Sequence, residues 1–444
     1  MTALRRAGAT GPVLLAVPLA AMGVAAVVLL SPALTATALI GMAQTDGLTG
    51  HLDRILPLSS FKLLSLWTLV LIALTLRDGR VTGPRPRPSL PMASAAGFAL
   101  WLGLSHLVAV DPAAGADHLK GFWATLLLVP IVGLSIRTAR DLRLALTVLV
   151  GSGVVSAVCV IVETATGLRL TIIANPDDIA AWQGTIRSAG ASAYNPTTAA
   201  QLLCASLVLA LGLAVGDARR RTVWLAAAAV MTLALPMMGA RSALLAFGVG
   251  LLLLGWTARR ARRFSLIAAI VVVGAVGTLP FLPDSIVERT AAVADLVTQD
   301  STVDRTLLRR VSYNLIGLDL FAQHPLTGVG PGGFPSIYAS FDYRWFPGRE
   351  LDPRQLHNAY LEVLAETGLP GLVLYLTATG GALVLAWRAG AVGGGSGTLA
   401  RATALALATF LFASLFMPNE DNKFTWILMA LACRAAWIAR STPE

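Results

Sequence analysis

Long apolar runs separated by short polar loops dominate this chain and predict a polytopic membrane protein. The first run extends from Pro12 to about Ala43. It contains Pro18 and Pro32, and a hairpin would place Arg5 and Arg6 on the outer face, so we expect one kinked or tilted span. The many later spans favour an uncleaved first span over a cleaved leader. Later runs predict further spans at residues 60–76, 92–110, 121–136, 142–162, 192–215, 222–240, 242–257, 264–282, 366–388, 402–417 and 424–440. The fold class predicted is therefore an all-α membrane protein of about twelve transmembrane helices.

The placement of arginine predicts the orientation of these spans. Arginine-rich loops alternate with loops that are acidic, mixed or uncharged, which is the pattern of positive charge retained in the cytoplasm. Both termini are therefore expected in the cytoplasm. The basic loops contain Arg77, Arg80, Arg85 and Arg87, then Arg137, Arg140 and Arg143, then Arg219–Arg221, then Arg259, Arg260, Arg262 and Arg263, and finally Arg388 and Arg401.

The longest polar interval, from about residue 283, falls on the outer face in this topology. We expect residues 1–282 to form a bundle of about nine spans, residues 283–365 a helical loop domain, and residues 366–444 the C-terminal spans. Within the loop domain, residues 283–302 are predicted to form a surface helix. The segment DRTLLRRVSYNLIGLDLFAQHPL has the apolar spacing of a second helix. The following GVGPGGF is predicted to be a turn that brings the backbone close to substrate or membrane.

Composition excludes a soluble or nucleic-acid-binding protein. The hydrophobic fraction is 56% and the charged fraction 13%, whereas about 25% of a soluble domain is charged. The net charge of +10 resides in loop arginines without interleaved aromatic residues, so no nucleic acid partner is expected. Cys159, Cys204 and Cys433 all lie within apolar runs and are predicted to be buried small hydrophobic residues.

His357 is the candidate general base. It opens the segment HNAYLEVLAETGLPGL, predicted to be a helix that Gly368 and Pro370 end. The positive end of a helix disfavours imidazolium, so the ring should be neutral and able to accept a proton. The alternative is a surface histidine that caps a helix. Asn358, in the same first turn, is a candidate substrate ligand.

Several arginines on the predicted outer face are candidate ligands for an anion. Arg241 lies between two apolar runs with almost no loop, where an arginine is costly unless it is paired or functional. Arg187 is either an interfacial arginine or a substrate ligand. The predicted helix of the loop domain carries three more candidates in its first half, Arg305, Arg309 and Arg310.

The motifs GARSALLAF, RRVSYNLIGLDLFAQHPLTGVGPGGF and HNAYLEVLAETGLPGLVLYL resemble the O-antigen ligase and polymerase superfamily of bacterial membrane glycosyltransferases. The YNP element after Arg187 is similar more loosely. The resemblance covers about residues 185–385. It implies a base role for His357 and phosphate-binding roles for Arg241 and one of Arg309 and Arg310, with Arg310 favoured by its spacing to HPLTG.

The resemblance also implies the substrates and the compartment. The donor would be a glycan linked to undecaprenyl diphosphate, a polyprenyl diphosphate, at the periplasmic face of the bacterial inner membrane. Ligases transfer such glycans to lipid A–core, whereas polymerases transfer them to another lipid-linked repeat unit. The motifs do not separate these two activities. Membrane lipid surrounds the spans in either case.

Chemical reasoning independently favours a donor that carries its own leaving group. ATP and nucleotide sugars are cytoplasmic, so a transferase on the outer face needs an activated donor such as a diphosphate. Arginine holds such a group in a bidentate manner. Direct displacement by a hydroxyl predicts inversion at the anomeric carbon. Because the sequence contains no Asp-x-Asp pair, we expect no metal and no other cofactor.

Two other classes of protein are also compatible with the sequence. A transporter or flippase also fits about twelve spans with cytoplasmic termini, but carriers commonly show repeated halves and charges near the middle of the membrane. A scaffold of a glycan assembly complex would tolerate the loss of His357.

Overall fold

The computed structural model describes residues 31–53, 58–78, 88–168, 170–171, 187–257, 305–340, 343 and 354–441. All regular secondary structure within these residues is helical. Six helices among them are long and apolar enough to cross a membrane: Ser60–Arg77, Pro112–Ser135, Ala139–Thr166, Pro196–Gly216, Ala359–Ala389 and Gly394–Ala413. The all-α membrane class is confirmed, whereas the count of twelve spans and the outer-face loop domain stay predictions.

Fifteen helices lie in the described part of the chain. In chain order they are α1 (Pro32–Met42), α2 (Asp46–Asp53), α3 (Ser60–Arg77), α4 (Leu90–His106), α5 (Pro112–Leu126), α6 (Leu128–Ser135), α7 (Ala139–Thr166), α8 (Pro196–Gly216), α9 (Arg221–Met237), α10 (Arg241–Thr257), α11 (Arg305–Gln323), α12 (Gly333–Tyr338), α13 (Ala359–Ala389), α14 (Gly394–Ala413) and α15 (Lys423–Ser441). The predicted span at 264–282 and the predicted surface helix at 283–302 lie outside the described residues.

Some predicted spans start too late in the sequence. The spans expected at 121–136 and 402–417 belong to helical segments that begin at Pro112 and Gly394. Polar and small residues form the first turns of these helices. A hydrophobicity pattern therefore places the start of each span too late. Tertiary packing and capping can extend a helix beyond its apolar stretch.

Helix α8 lies at the centre of the bundle and packs against α9, α10 and α14. Its start is encoded by the Tyr194-Asn195-Pro196 element: the Asn195 side chain accepts from the backbone N–H groups of Thr197 and Thr198, and Pro196 occupies the first turn. Small residues let the helices approach closely, as expected in membranes. A Cβ added at Gly212 would lie 3.0 Å from the Ala402 Cα.

Helix α13 is bent where the sequence predicts a helix end. Gly368 has φ 69° and ψ −173°, so the helical backbone breaks at this residue and then resumes. The predicted break is confirmed: two helical segments meet at this kink, and the second one overlaps the span predicted at 366–388. The segment that follows His357 is therefore joined through the kink to a candidate membrane span.

Helix α11 confirms the helix predicted within the loop domain, and it packs against α13. The side chains that face inward are Tyr313, Ile316 and Leu320, each at most 5% exposed. Several apolar positions that carried the sequence pattern lie on the other side of the helix, where Val311, Leu315 and Leu318 are exposed.

The glycine-rich loop after α11 approaches the bend of α13. The Val329 and Gly330 N–H groups donate to the backbone oxygens of Ala365 and Glu366 over 3.0 Å each. A Cβ at Gly328, whose φ is +66°, would collide with the Glu366 backbone. The close neighbour of this backbone is thus the protein's own helix, and its approach to substrate or membrane stays a prediction.

Candidate functional site

His357 lies immediately before α13 rather than in its first turn. The helix is capped by Asn358, whose Oδ1 accepts from the N–H groups of Tyr360 (3.1 Å) and Leu361 (3.3 Å). Because Oδ1 is engaged in capping, the Asn358 amide NH₂ is the group that can meet a substrate. The imidazole of His357 is half-buried.

One hydrogen bond defines the tautomer of His357. Its Nδ1 lies 3.0 Å from the Gln355 carbonyl oxygen. A carbonyl can only accept, so Nδ1 carries the proton of the neutral ring and Nε2 keeps its lone pair. Nε2 is therefore the atom able to take a proton from a hydroxyl group.

The environment keeps this imidazole neutral, as the sequence predicts. Burial lowers the pKa of His357 to about 4; the Gln355 carbonyl opposes this shift, and the guanidinium groups of Arg310 and Arg354 lower the pKa further. The leading cause is thus burial rather than the helix end invoked from the sequence.

Helix α11 presents two side chains to His357. Arg310 and Tyr313 are three residues apart and therefore share a helix face. The Tyr313 ring stacks on the imidazole, with centroids 5.2 Å apart and planes inclined by 27°. The half-buried Arg310 guanidinium acts electrostatically on His357. Sequence reasoning missed Tyr313 and Arg354, although Tyr313 lies at a helical spacing from the candidate arginine.

Arg187 and Arg241 lie at a second position, the turn between α9 and α10. The Arg187 Nε donates to the Met238 carbonyl oxygen over 2.8 Å, and its terminal nitrogens lie 3.4 and 3.5 Å from the Thr197 hydroxyl. Arg187 therefore joins the start of α8 to the end of α9. Arg241 is half-buried as the first residue of α10.

A chain of buried hydrogen bonds joins the starts of α10 and α13. The Gln201 amide donates to the Ser242 hydroxyl over 3.1 Å. The Asn419 amide donates to Gln201 Oε1 over 2.8 Å and to the Ser414 hydroxyl over 3.3 Å. The Ser414 carbonyl oxygen accepts from Ala359 N–H over 2.9 Å.

This chain links Arg241, which precedes Ser242, with His357, which lies two residues before Ala359. Sequence reasoning missed Gln201 and Asn419. The available signal was the run Asn419–Asn422, four polar residues without an arginine between two apolar helices.

The structure defines only the backbone of Arg305 and Arg309. Their backbone belongs to the first turns of α11, but their side chains lie outside the described part of the structure. The geometry therefore brings Arg310 to His357 and leaves the roles of Arg305 and Arg309 as predictions.

Residues 226–376 match a family model described as O-antigen ligase. Arg241, Arg310 and His357 all fall inside this segment, whereas Arg187 precedes it. No curated protein matches the chain. The superfamily resemblance inferred from the motifs is confirmed over the matched segment.

Proposed function

Because residues 226–376 of this membrane protein match a family model described as O-antigen ligase, we propose that it is a glycosyltransferase of O-antigen or polysaccharide assembly. In this proposal, a glycan passes from an undecaprenyl-diphosphate donor to an acceptor hydroxyl at the periplasmic face of the inner membrane. Ligation to lipid A–core is the reaction we favour. The observation that carries the proposal is the neutral imidazole of His357 beside Arg310 within the family segment.

His357 acts as the general base in this mechanism. Its Nε2 takes the proton of the acceptor hydroxyl while the acceptor oxygen bonds to the anomeric carbon. The bond between that carbon and the phosphate oxygen breaks, and its electron pair leaves with the diphosphate. Displacement from the opposite side inverts the anomeric carbon. General-base catalysis of this kind contributes about 10²–10⁴-fold to the rate.

Arginines stabilise the departing diphosphate. Arg310 acts electrostatically on the base, and Arg241, at the start of α10, is proposed to bind the same diphosphate. Guanidinium groups bind phosphate oxygens in a bidentate manner, and their charge offsets the charge that develops on the leaving group. Arg187, Arg305, Arg309 and Asn358 are proposed as further substrate contacts. The charge is held by side chains, so the mechanism calls for neither a metal nor another cofactor.

Donor binding would also activate the base. The positive charges of Arg310 and Arg354 help to hold the pKa of His357 low. A bound diphosphate offsets those charges, so the pKa of His357 should rise towards its ordinary value when the donor is present. The imidazole then becomes a better proton acceptor in the substrate complex than in the free enzyme.

Polymerisation uses the same chemistry with a lipid-linked glycan as the acceptor. The test is purified full-length protein with lipid-linked glycan donor and either lipid A–core or excess donor, without added metal. Product on lipid A–core supports ligation, and lengthened lipid-linked glycan supports polymerisation. Movement of the lipid-linked glycan across vesicles without any product would indicate a flippase instead and contradict the proposal.

A further inference from the structure

Four acidic side chains act electrostatically on one another, and we call them the acidic cluster. Glu362 and Glu366 come from α13, and Glu420 and Asp421 come from the loop between α14 and α15. Glu362 is 2% exposed and Glu420 is 3% exposed. Acidic side chains are almost never buried this deeply unless their charge is paired or removed.

Two members of the acidic cluster have compensating partners. The Glu366 carboxyl accepts from the Gly332 N–H over 2.8 Å and from the Phe334 N–H over 3.1 Å. The His118 imidazole acts electrostatically on both Glu366 and Asp421. Donors and a basic ring therefore stabilise negative charge on this side of the cluster.

The other two members each keep one carboxyl oxygen without a partner in the described part of the chain. Among the described residues, Glu362 Oε2 and Glu420 Oε2 are both buried without a hydrogen-bond partner. The Glu420 carboxyl acts electrostatically on Glu362. Burial, and then the adjacent Asp421, raise the pKa of Glu420 well above its ordinary value. Two such carboxyl groups cannot both be ionised without a large free-energy cost, so at least one proton is retained.

A buried hydroxyl group, that of Tyr375, also interacts with the acidic cluster. Tyr375 is fully buried, and its hydroxyl has no hydrogen-bond partner within the described residues. It acts electrostatically with Glu420 and Asp421. A phenolic hydroxyl can donate to a carboxylate, so Tyr375 is a further buried donor close enough to the cluster to act on it electrostatically.

Glu362 is also connected to the candidate base. Its carboxyl accepts a hydrogen bond from the backbone N–H of Leu356, the fully buried residue before His357. Asn358 N–H in turn donates to the Leu356 carbonyl oxygen over 2.6 Å. These contacts restrain the backbone on both sides of His357.

We propose that Glu362 and Glu420 share one proton, and that this acid pair is a positioning device that holds the turn at Leu356 and directs His357 Nε2 towards the acceptor. The O–H of one carboxyl group donates to the unpartnered Oε2 of the other. The retained proton leaves the pair with one negative charge instead of two.

The acid pair predicts a specific dependence on pH. Loss of the shared proton at high pH would leave two repelling charges and displace the turn. Glu362→Gln retains an oxygen for the Leu356 N–H and provides an N–H donor for Glu420, so it should remove this alkaline loss. The titratable groups that face Glu362 and Glu420 from neighbouring elements are Glu366, Tyr375, Asp421 and, through Glu366 and Asp421, His118.

Infrared spectroscopy of the full chain in lipid nanodiscs tests the shared proton directly. The carbonyl band of a protonated carboxylic acid should be present at neutral pH and decrease in both Glu362→Gln and Glu420→Gln. The matched control is Glu163→Gln, because the buried Glu163 already accepts from Leu170 N–H (2.9 Å) and the Ser188 hydroxyl (2.5 Å). An unchanged band in both cluster variants would overturn the acid pair.

The positioning role rests on the proposed function and needs a second readout. Glu362→Gln should keep near-normal kcat at neutral pH and extend activity to higher pH, whereas Glu362→Leu should lower kcat by about 10²-fold, as expected for a misplaced catalytic group. Equal losses in both variants, with folding verified by thermal unfolding, would contradict the positioning role. If the wild type transfers no glycan, the proposed function fails. The infrared result then still tests whether Glu362 and Glu420 share a proton.

Discussion

The aromatic ring of Tyr313 stacks on the imidazole of His357, with centroids 5.2 Å apart. Tyr313 belongs to α11, whereas His357 precedes α13. This contact therefore joins a helix of the predicted loop domain to the start of a membrane span. It fixes the plane of the candidate base and places Arg310, one turn earlier on α11, on the same side.

Replacing Tyr313 should separate the effect of stacking from that of the hydroxyl. Tyr313→Leu should lower kcat by about tenfold, because an aromatic pair contributes about 0.5–1.5 kcal/mol beyond its buried area. Tyr313→Phe keeps the ring and should retain most of the activity. The measurement is steady-state glycan transfer by folded protein. Equal loss in both variants would assign the effect to the hydroxyl instead.

Removing the Arg310 charge should raise the pKa of His357. The guanidinium lowers the pKa of this imidazole, so Arg310→Ala should raise it while Arg310→Lys should change it little. Nuclear magnetic resonance titration of labelled histidine measures this without any substrate, and the chain contains only 5 histidines to assign. An unchanged pKa in Arg310→Ala would show that the two groups are too far apart to act together.

Acid should weaken the fold through His357. The pKa of about 4 in the folded state lies below the ordinary value of 6.5, because burial excludes the charged ring. The unfolded chain therefore binds more protons, so this group's contribution is present above about pH 6.5 and is lost as the pH falls towards 4. Between pH 7 and 5, the Tm of the wild type should fall more than that of His357→Gln. Parallel curves would contradict the pKa shift.

The bend of α13 should depend on glycine at position 368. Its φ of +69° disfavours other residues, and an added Cβ would collide with the Leu326 backbone oxygen. Gly368→Ala should therefore lower the Tm and reduce transfer by displacing the first half of α13. Gly380→Ala in the same helix is the matched control, because its added Cβ has no neighbour within 4 Å among the described residues apart from the local backbone of its own helix. A Gly368→Ala protein as stable as the control would contradict the role of the bend.

The sequence predicts what depends on local patterns. Hydrophobic runs identify the helices of the bundle, Asn195-Pro196 marks the start of α8, and Gly368 marks the bend. The three cysteines are buried and free, as predicted from their apolar surroundings. Each of these features depends on the properties of a short segment.

Contacts between distant segments leave no such local signal. Asn419 donates to Gln201 across 218 residues of sequence, and nothing near either residue identifies the other. The stacking of Tyr313 on His357 depends on how α11 packs against α13. The hydrogen bonds between the glycine-rich loop and the α13 backbone likewise have no counterpart in the local sequence.

The central claim is that His357 Nε2 and the Arg310 guanidinium act on one lipid diphosphate donor. The most direct measurement is the single-turnover transfer rate of purified protein, with chelator present, for the wild type, His357→Gln and Arg310→Ala. The exposed His324 provides the control His324→Gln. We predict that both site variants lose about 10²-fold or more in rate and that His324→Gln transfers normally. Transfer by folded His357→Gln at the wild-type rate would contradict the account.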